Sequence, residues 1–242
     1  MRVIGHRGAA AVAPENTLAS FARAIEAGVR AVECDARLTL DGAVVLMHDD
    51  DVSRTTNASG RISEMTLEQV RALDAAAGWE LWRGAGLQVP TLGELLELID
   101  GRADLVIELK ADWDDRGFRS ATPVARAVAP IVSGVAGVIL SSFDPAAVSH
   151  ARAVAPGTPT ALSILRGFPI DEGIRTAREA GHVEIHPAQD AVDAATVRRA
   201  HEAGLAVCCW TVNDVARARE LEAASADAIF ADDPVAMAAA LA

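Results

Sequence analysis

The sequence predicts an α/β protein built on a parallel sheet, closed or open. Three observations predict it. Short apolar runs alternate with amphipathic segments along the chain. The runs are apolar nearly throughout, as strands buried on both faces are. Gly28, Gly101, Gly181 and Gly204 each follow a helical stretch, where a helix-ending glycine belongs. At 242 residues the chain has a length at which (β/α) barrels run as one domain. Its 51% hydrophobic content is enough for a substantial core.

Strands are expected at residues 3–5, 31–35, 43–48, 105–110, 138–142, 160–164, 183–186, 206–212 and 228–231. That is one more than a closed eight-stranded barrel holds. Helices are expected at 17–27, 92–99, 146–154, 194–203 and 215–223, where apolar residues recur at i, i+3 and i+4. The link from Asp35 to Ala43 is too short for a helix. Its seven residues either return extended, over roughly 23 Å, or form a hairpin through Asp41-Gly42. A hairpin is expected to carry His48 to the opposite end from Asp35, so a site using both requires the extended return. Residues 50–90 have no strand pattern, carry turn signals from Asn57 to Gly60, and predict a helix at 67–76. They look like a small insertion over the mouth of the sheet.

The net charge of −12 argues against nucleic acid or an anionic membrane surface as partner, since both need a basic face. A protein this acidic that handled phosphate would have to concentrate positive charge locally, and a metal ion is the simplest means. Of 22 basic residues only Lys110 is a lysine, and it lies beside a carboxylate at a strand end. A compact ammonium suits a site where a planar guanidinium does not fit. Cys34, Cys208 and Cys209 are odd in number, without disulfide or zinc spacing, and read as core residues. No run of about 18 apolar residues is present, so no stable membrane insertion is expected. Met1-Arg2 lead directly into the first strand without an apolar leader, and the expected location is the cytoplasm.

Several constellations could carry chemistry. Glu33 and Asp35 are two apart on an apolar strand, so both face one side. Side by side they repel unless a cation lies between them, and an oxygen-preferring divalent ion satisfies them. Glu108 and Lys110 repeat that geometry on another strand. Taken singly, the first pair also fits solvent-facing acids and the second an ion pair; together they put three carboxylates and one ammonium at equivalent strand ends.

His6 and Arg7 end the first strand ahead of Gly8, which permits a sharp turn. Arg7 offers a fork to phosphate oxygens. In Pro14-Glu15-Asn16-Thr17, Glu15 could hold Arg7, and Asn16 or Thr17 could cap the next helix. His48-Asp49 pairs an imidazole with a carboxylate, which suits acid–base work. His186, at a strand end, could line the pocket, whereas His150 and His201 fall on helical surface. Ser141-Ser142-Phe143 and Trp210-Thr211-Val212-Asn213 also stand at strand ends, where Ser142 or Asn213 could bond hydroxyls and Phe143 or Trp210 could form a wall. Of Asp232 and Asp233, one could face the mouth, but a cap for the helix at Pro234 is the simpler role.

These motifs resemble those of glycerophosphodiester phosphodiesterases. The matching pieces are His6-Arg7-Gly8, Pro14-Glu15-Asn16-Thr17, Glu33-Cys34-Asp35, Asp41-Gly42 before His48-Asp49, Arg54-Thr55-Thr56, Pro90-Thr91-Leu92, Ile107-Glu108-Leu109-Lys110, Ser141-Ser142-Phe143 and Trp210-Thr211-Val212-Asn213, in family order over nearly the whole chain. The resemblance implies a (β/α)8 TIM-type barrel spanning residues 1–242 as one domain, with a small insertion (about 50–90) after the third strand. It implies one divalent ion, Mg2+ or Ca2+, held by Glu33, Asp35 and Glu108. His6 and His48 would act as acid and base, and Arg7 and Lys110 would contact phosphate. The implied reaction releases sn-glycerol 3-phosphate and an alcohol from a small-molecule glycerophosphodiester. The family often has Thr-Asp before the final proline where this chain has Ala231-Asp232-Asp233-Pro234, which opens the role of Asp232.

Three other readings compete. Lysophospholipids or phosphoinositides could be cleaved on the same site, and Trp79, Leu81 and Trp82 in the insertion fit a lipid substrate. A silent phosphodiester-binding module would have lost a histidine or a carboxylate, and none is lost. A metal-dependent barrel isomerase leaves both histidines and the Arg/Lys pair without a purpose. No sequence feature fixes the oligomeric state.

Overall fold

The structure, a computed structural model, describes residues 1–114 and 117–242. β1 (Arg2–Gly5), α1 (Leu18–Glu26) and β2 (Ala31–Leu38) open the chain. β3 (Val44–Leu46), α2 (Leu67–Arg71) and α3 (Leu92–Ile99) lead to β4 (Asp104–Leu109). A hairpin, β5 (Asp112–Asp114) and β6 (Gly117–Arg119), precedes α4 (Thr122–Val132). Strands and helices then alternate: β7 (Val138–Ser142), α5 (Pro145–Val154), β8 (Thr160–Ile164), α6 (Ile170–Ala180), β9 (Glu184–Pro187), α7 (Ala194–Glu202), β10 (Ala206–Cys209), α8 (Val215–Ala223), β11 (Ala228–Ala231) and α9 (Pro234–Leu241).

Eight of these strands form a closed parallel barrel. β1 pairs with β2 on one side and with β11 on the other, where Arg2 to Gly5 run beside Ala228 to Ala231. The ninth expected strand, β3, lies outside the ring and pairs antiparallel with β2 alone. Its apolar run imitates a barrel strand because both of its faces are buried. Val44 and Leu46 join the main core, whereas Val45 and Met47 join a small cluster with Val52, Ile62, Val70, Ala75 and Val89. That cluster is the core of the 50–90 segment, which follows the third strand in chain order but only the second strand of the barrel. Helix α2 stops at Arg71 rather than near residue 76. The next backbone donors find other acceptors: Asp74 N bonds Asn57 Oδ1 at 2.9 Å, Ala75 N bonds Leu87 O at 2.8 Å, and Ala76 N bonds Asp74 Oδ1 at 2.9 Å. Tertiary partners thus outbid a weak local preference.

Period-two alternation sorts the strand residues. On β2, Val32, Cys34 and Ala36 enter the strand–helix core, while Ala31 enters the cluster inside the ring with Ile4, Val106, Cys208, Ala228 and Phe230. Glu33 and Asp35 continue the inner face toward the carboxyl ends of the strands, where barrel sites lie. All three cysteines are buried and free, and burial pushes each thiol up. No helix among the described residues is long and apolar enough to cross a membrane.

Gly8 marks the tightest point between the site and the fold. Its φ is +88°, and a Cβ there would lie 2.5 Å from Ser20 Oγ and 2.7 Å from the Ser20 carbonyl carbon, in the first turn of α1. Gly8→Ala combines left-handed strain with overpacking and is expected to cost about 2 kcal/mol or more. A thermal melt with the midpoint within about 1 °C of wild type (a change of well under ~1 kcal/mol) would refute this.

Candidate active site

Four inward-facing side chains meet where β2 and β4 run side by side. Their register sets Asp35 beside Glu108, so the i, i+2 pairs of the two strands face each other. Single ligand oxygens of Glu33, Asp35 and Glu108 lie within 4.8 Å of one another. Lys110 Nζ donates to Glu108 Oε1 at 2.7 Å and stands 3.3 Å from Asp35 Oδ1. Arg7 N donates to Glu33 Oε2 at 2.9 Å, and Arg7 Nε pairs with Asp35 Oδ2 at 3.2 Å without hydrogen-bond geometry. Asn16 Nδ2 donates to Asp35 Oδ2 at 2.8 Å and its Oδ1 accepts from Asp35 N. Thr17, not Asn16, caps α1 by accepting from Ser20 N.

The two buried carboxyls of β2 diverge. Burial pushes Glu33 up to about 8, and the Asp35 charge adds to it. Burial also opposes ionisation of Asp35, but Lys110 and Arg7 outweigh it and hold that carboxyl well below the usual range. Asp35 Oδ1 is buried and lacks a hydrogen-bond donor. The cluster is therefore short of positive charge at the point where three oxygens converge. An oxygen-only donor set of this kind fits a hard divalent cation rather than a thiophilic one.

His6 and His48 flank the cluster, and each has Nδ1 on a carboxylate. His6 Nδ1 lies 2.7 Å from Asp232 Oδ1, and His48 Nδ1 lies 2.7 Å from Asp49 Oδ1. The His48 hydrogen bond, then burial working against it, then Arg54 set the Asp49 carboxyl, whose net shift is far down. Burial opposes ionisation of Asp232, but the His6 bond prevails and its pKa is lowered. Both acids are therefore carboxylates at neutral pH, so each Nδ1 carries the proton. That leaves Nε2 of each ring as the atom able to exchange one.

The path that brings His48 here corrects the sequence expectation. A hairpin does form, and it does not separate His48 from Asp35. β2 runs on three residues past Asp35 to Leu38, and β3 returns antiparallel with Ala36 opposite Leu46. Met47 N bonds Asp35 O at 2.9 Å, so His48 arrives level with the carboxylates. The expectation failed because it ended the strand at Asp35. Arg37, next on the same face, clasps the His48 carbonyl through Nε and NH2 at 2.9 and 2.6 Å, and Asp112 holds Arg37 at 2.7 Å.

A cavity of about 150 Å³ opens onto His6, Arg7, Glu33, His48 and Glu108. Phe143 and Trp210 wall it with rings edge to face at 5.5 Å, and His186 lines it with Nε2 held 3.0 Å from Glu184 Oε2. Ser142 is not in the wall: it is fully buried and donates to Leu109 O at 2.7 Å, whereas its neighbour Ser141 lines the cavity. Adjacent strand residues point to opposite faces, and the sequence reading took the wrong member of the pair. Asn213 bonds Asp232 on both sides, at 2.6 and 3.0 Å. Asp233 is the residue that caps α9.

Asp232 is thus a site residue that the sequence left open, and Arg37 is one it did not single out. The signal for Arg37 was the same alternation that found Glu33 and Asp35. Burial works against protonation of His6, yet the Asp232 bond and the Glu33 charge prevail and its pKa is raised. Asp232→Asn removes the largest favourable contribution, so the His6 pKa falls. Whichever limb of the pH–rate profile His6 sets is expected to move to lower pH, and an unmoved profile would count against the pair.

Residues 6–236 match the model of the Glycerophosphoryl diester phosphodiesterase family. The chain is 32% identical over 236 residues to a glycerophosphodiester phosphodiesterase of Caldanaerobacter subterraneus subsp. tengcongensis, covering 96% of this chain and 94% of that one. An Oleispira antarctica phosphodiesterase, solved in complex with the product sn-glycerol-3-phosphate, superposes with a TM-score of 0.87 at 29% identity over 100% of this chain and 96% of that one. A glycerophosphodiester phosphodiesterase of Thermotoga maritima superposes with a TM-score of 0.80 at 27% identity, covering 98% and 96%.

Proposed function

The chain belongs to the glycerophosphoryl diester phosphodiesterase family and is a phosphoric diester hydrolase, and from that premise we propose that it cleaves glycerophosphodiesters to sn-glycerol 3-phosphate and an alcohol, with His6 and His48 as acid and base and with residues 1–242 acting as one catalytic domain. The observation that carries this reading is the convergence on one cavity of three carboxylates and two histidines, each histidine held at Nδ1 by its own carboxylate.

One imidazole takes the proton from the glycerol hydroxyl next to the phosphodiester. That oxygen attacks phosphorus as the bond to the alcohol breaks, and the other imidazole protonates the departing alcohol. Water then opens the cyclic phosphate, and the two rings exchange protons in the opposite sense. Arg7 and Lys110 neutralise charge on the phosphoryl oxygens, and their own carboxylate partners keep them in place. The family generally depends on a divalent cation, and Glu33, Asp35 and Glu108 are the residues that would hold it here. When bound, such an ion, Mg2+ or Ca2+, supplies Lewis-acid stabilisation of the developing charge.

The test is release of glycerol 3-phosphate from glycerophosphocholine and glycerophosphoethanolamine with magnesium, with calcium and with chelator. Cation-dependent release is expected, and none from folded protein with either ion would remove the proposal. A second reading, cleavage of lysophospholipids, is favoured by an apolar groove lined by Leu162, Leu165 and Phe168 that shares Phe143 and Ser163 with the cavity. Faster turnover of short-chain lysophosphatidylcholine than of glycerophosphocholine would select it.

A further inference from the structure

Arg54 touches neither the cavity nor the cluster of three carboxylates, yet it joins the two arms of the site. Its Nε donates to Asp49 Oδ2 at 2.5 Å, and Asp49 is the acid that holds His48. Its two terminal nitrogens donate to Glu15 Oε2 and Oε1 at 2.7 and 2.8 Å, and Glu15 is the acid that holds Arg7 at 2.8 Å. One guanidinium thus closes an unbroken chain from His48 through Asp49, Arg54, Glu15 and Arg7 to Asp35.

We propose that Arg54 is a positioning residue through which the 50–90 insertion sets both His48 and Arg7. This rests on the roles given to those two residues above. An isolated surface ion pair contributes little, about 0–1 kcal/mol. Arg54 differs in geometry: it makes a two-pronged bond to one carboxylate and a third bond to another, which only a planar fork can do. Its backbone is fixed as well. It ends a short 3-10 turn, Val52–Arg54, capped by Asp51 accepting from Ser53 N at 2.8 Å. Val52 in that turn is fully buried in the insertion's own core, and its N bonds Gly60 O at 2.9 Å. The insertion's core thus carries Arg54 to the point where the carboxylates behind His48 and Arg7 come within reach of one side chain.

Groups that orient a reacting residue from behind typically cost 10- to 100-fold when removed. Arg54→Ala is expected to lower kcat by about that factor and to raise KM, because Glu15 no longer fixes Arg7. Arg54→Lys keeps the charge without the fork and is expected to fall close to the alanine variant. Since Arg54 acts on His48 through Asp49 and on Arg7 through Glu15, the kcat loss in Asp49→Asn/Arg54→Ala should be smaller than the product of the two single losses. The readout that a merely structural role would not move is the downfield proton resonance of His48 Nδ1, assigned by its loss in His48→Ala. It should broaden or vanish in Arg54→Ala while the thermal midpoint stays within a few degrees. A folded Arg54→Ala with kcat within twofold of wild type, or with that resonance unchanged, overturns the proposal. If Arg54→Ala does not fold, Arg54→Lys decides by the same two readouts. Wild-type protein that releases no glycerol 3-phosphate would sink the proposed function, and the resonance would then decide the positioning role by itself.

Discussion

His6→Ala and His48→Ala are each expected to lower kcat by about 100-fold or more, with little change in thermal stability. Each ring stands at the cavity with one nitrogen committed to a carboxylate and the other free to exchange a proton. Removing either therefore removes one proton transfer. His6 and His48 serve in sequence in both halves of the reaction, so the double variant should lose much less than the product of the single losses. Glycerol 3-phosphate release at saturating substrate, with the circular dichroism spectrum as the check on folding, measures this. Near-normal turnover in either single variant would leave that histidine as a wall residue only.

Chelation of divalent cations is expected to abolish release, and magnesium or calcium to restore it in wild type but not in Glu33→Gln or Asp35→Asn. Stability gives a second, independent signal. Saturating a site raises folding stability by mass action, about 2.7 kcal/mol at a hundred times the dissociation constant, so the wild-type melting temperature should rise with added cation and that of Glu33→Gln should not. The sign for the metal-free protein runs the other way from a usual acid. Burial and then Asp35 raise the Glu33 pKa from 4.5 to about 8. Between those values the folded state binds the proton that the unfolded state has released, so stability falls as pH rises. Glu33→Gln removes that loss. Without metal, its melting temperature should gain on wild type from about pH 4.5 toward about 8. Equal pH dependence in the two proteins would contradict this account of the cluster.

How far the site could be seen in the sequence depended on how local its signals are. Glu33 with Asp35, and Glu108 with Lys110, are visible because side chains alternate every two residues along a strand, whatever lies beside it. The same rule contained Arg37, which continues the series and holds His48 in place. It also gave an ambiguous answer at Ser141-Ser142, since it says that neighbours point apart without saying which points inward. The Asp232 bond to His6 joins residues 226 positions apart and has no local signature. Arg54 stands out in the sequence only as part of a family motif, because Glu15, one of the two carboxylates it bridges, lies 39 positions away.

By itself the sequence determined the α/β class, the parallel strands, the helix-ending glycines and the types of residue that meet at the site. These follow from periodicity, local backbone preference and the expense of leaving like charges together without a counter-ion. Only the tertiary structure decided that the ring closes without β3, that a hairpin rather than an extended return carries His48 to Asp35, and that Asp232 holds His6. Each of those outcomes depends on register between distant strands or on which backbone donors find partners across the fold. A run such as Val44 to Met47 looks the same in sequence whether it lies in a barrel or forms a wall between barrel and insertion, because burial on both faces is all that its composition records.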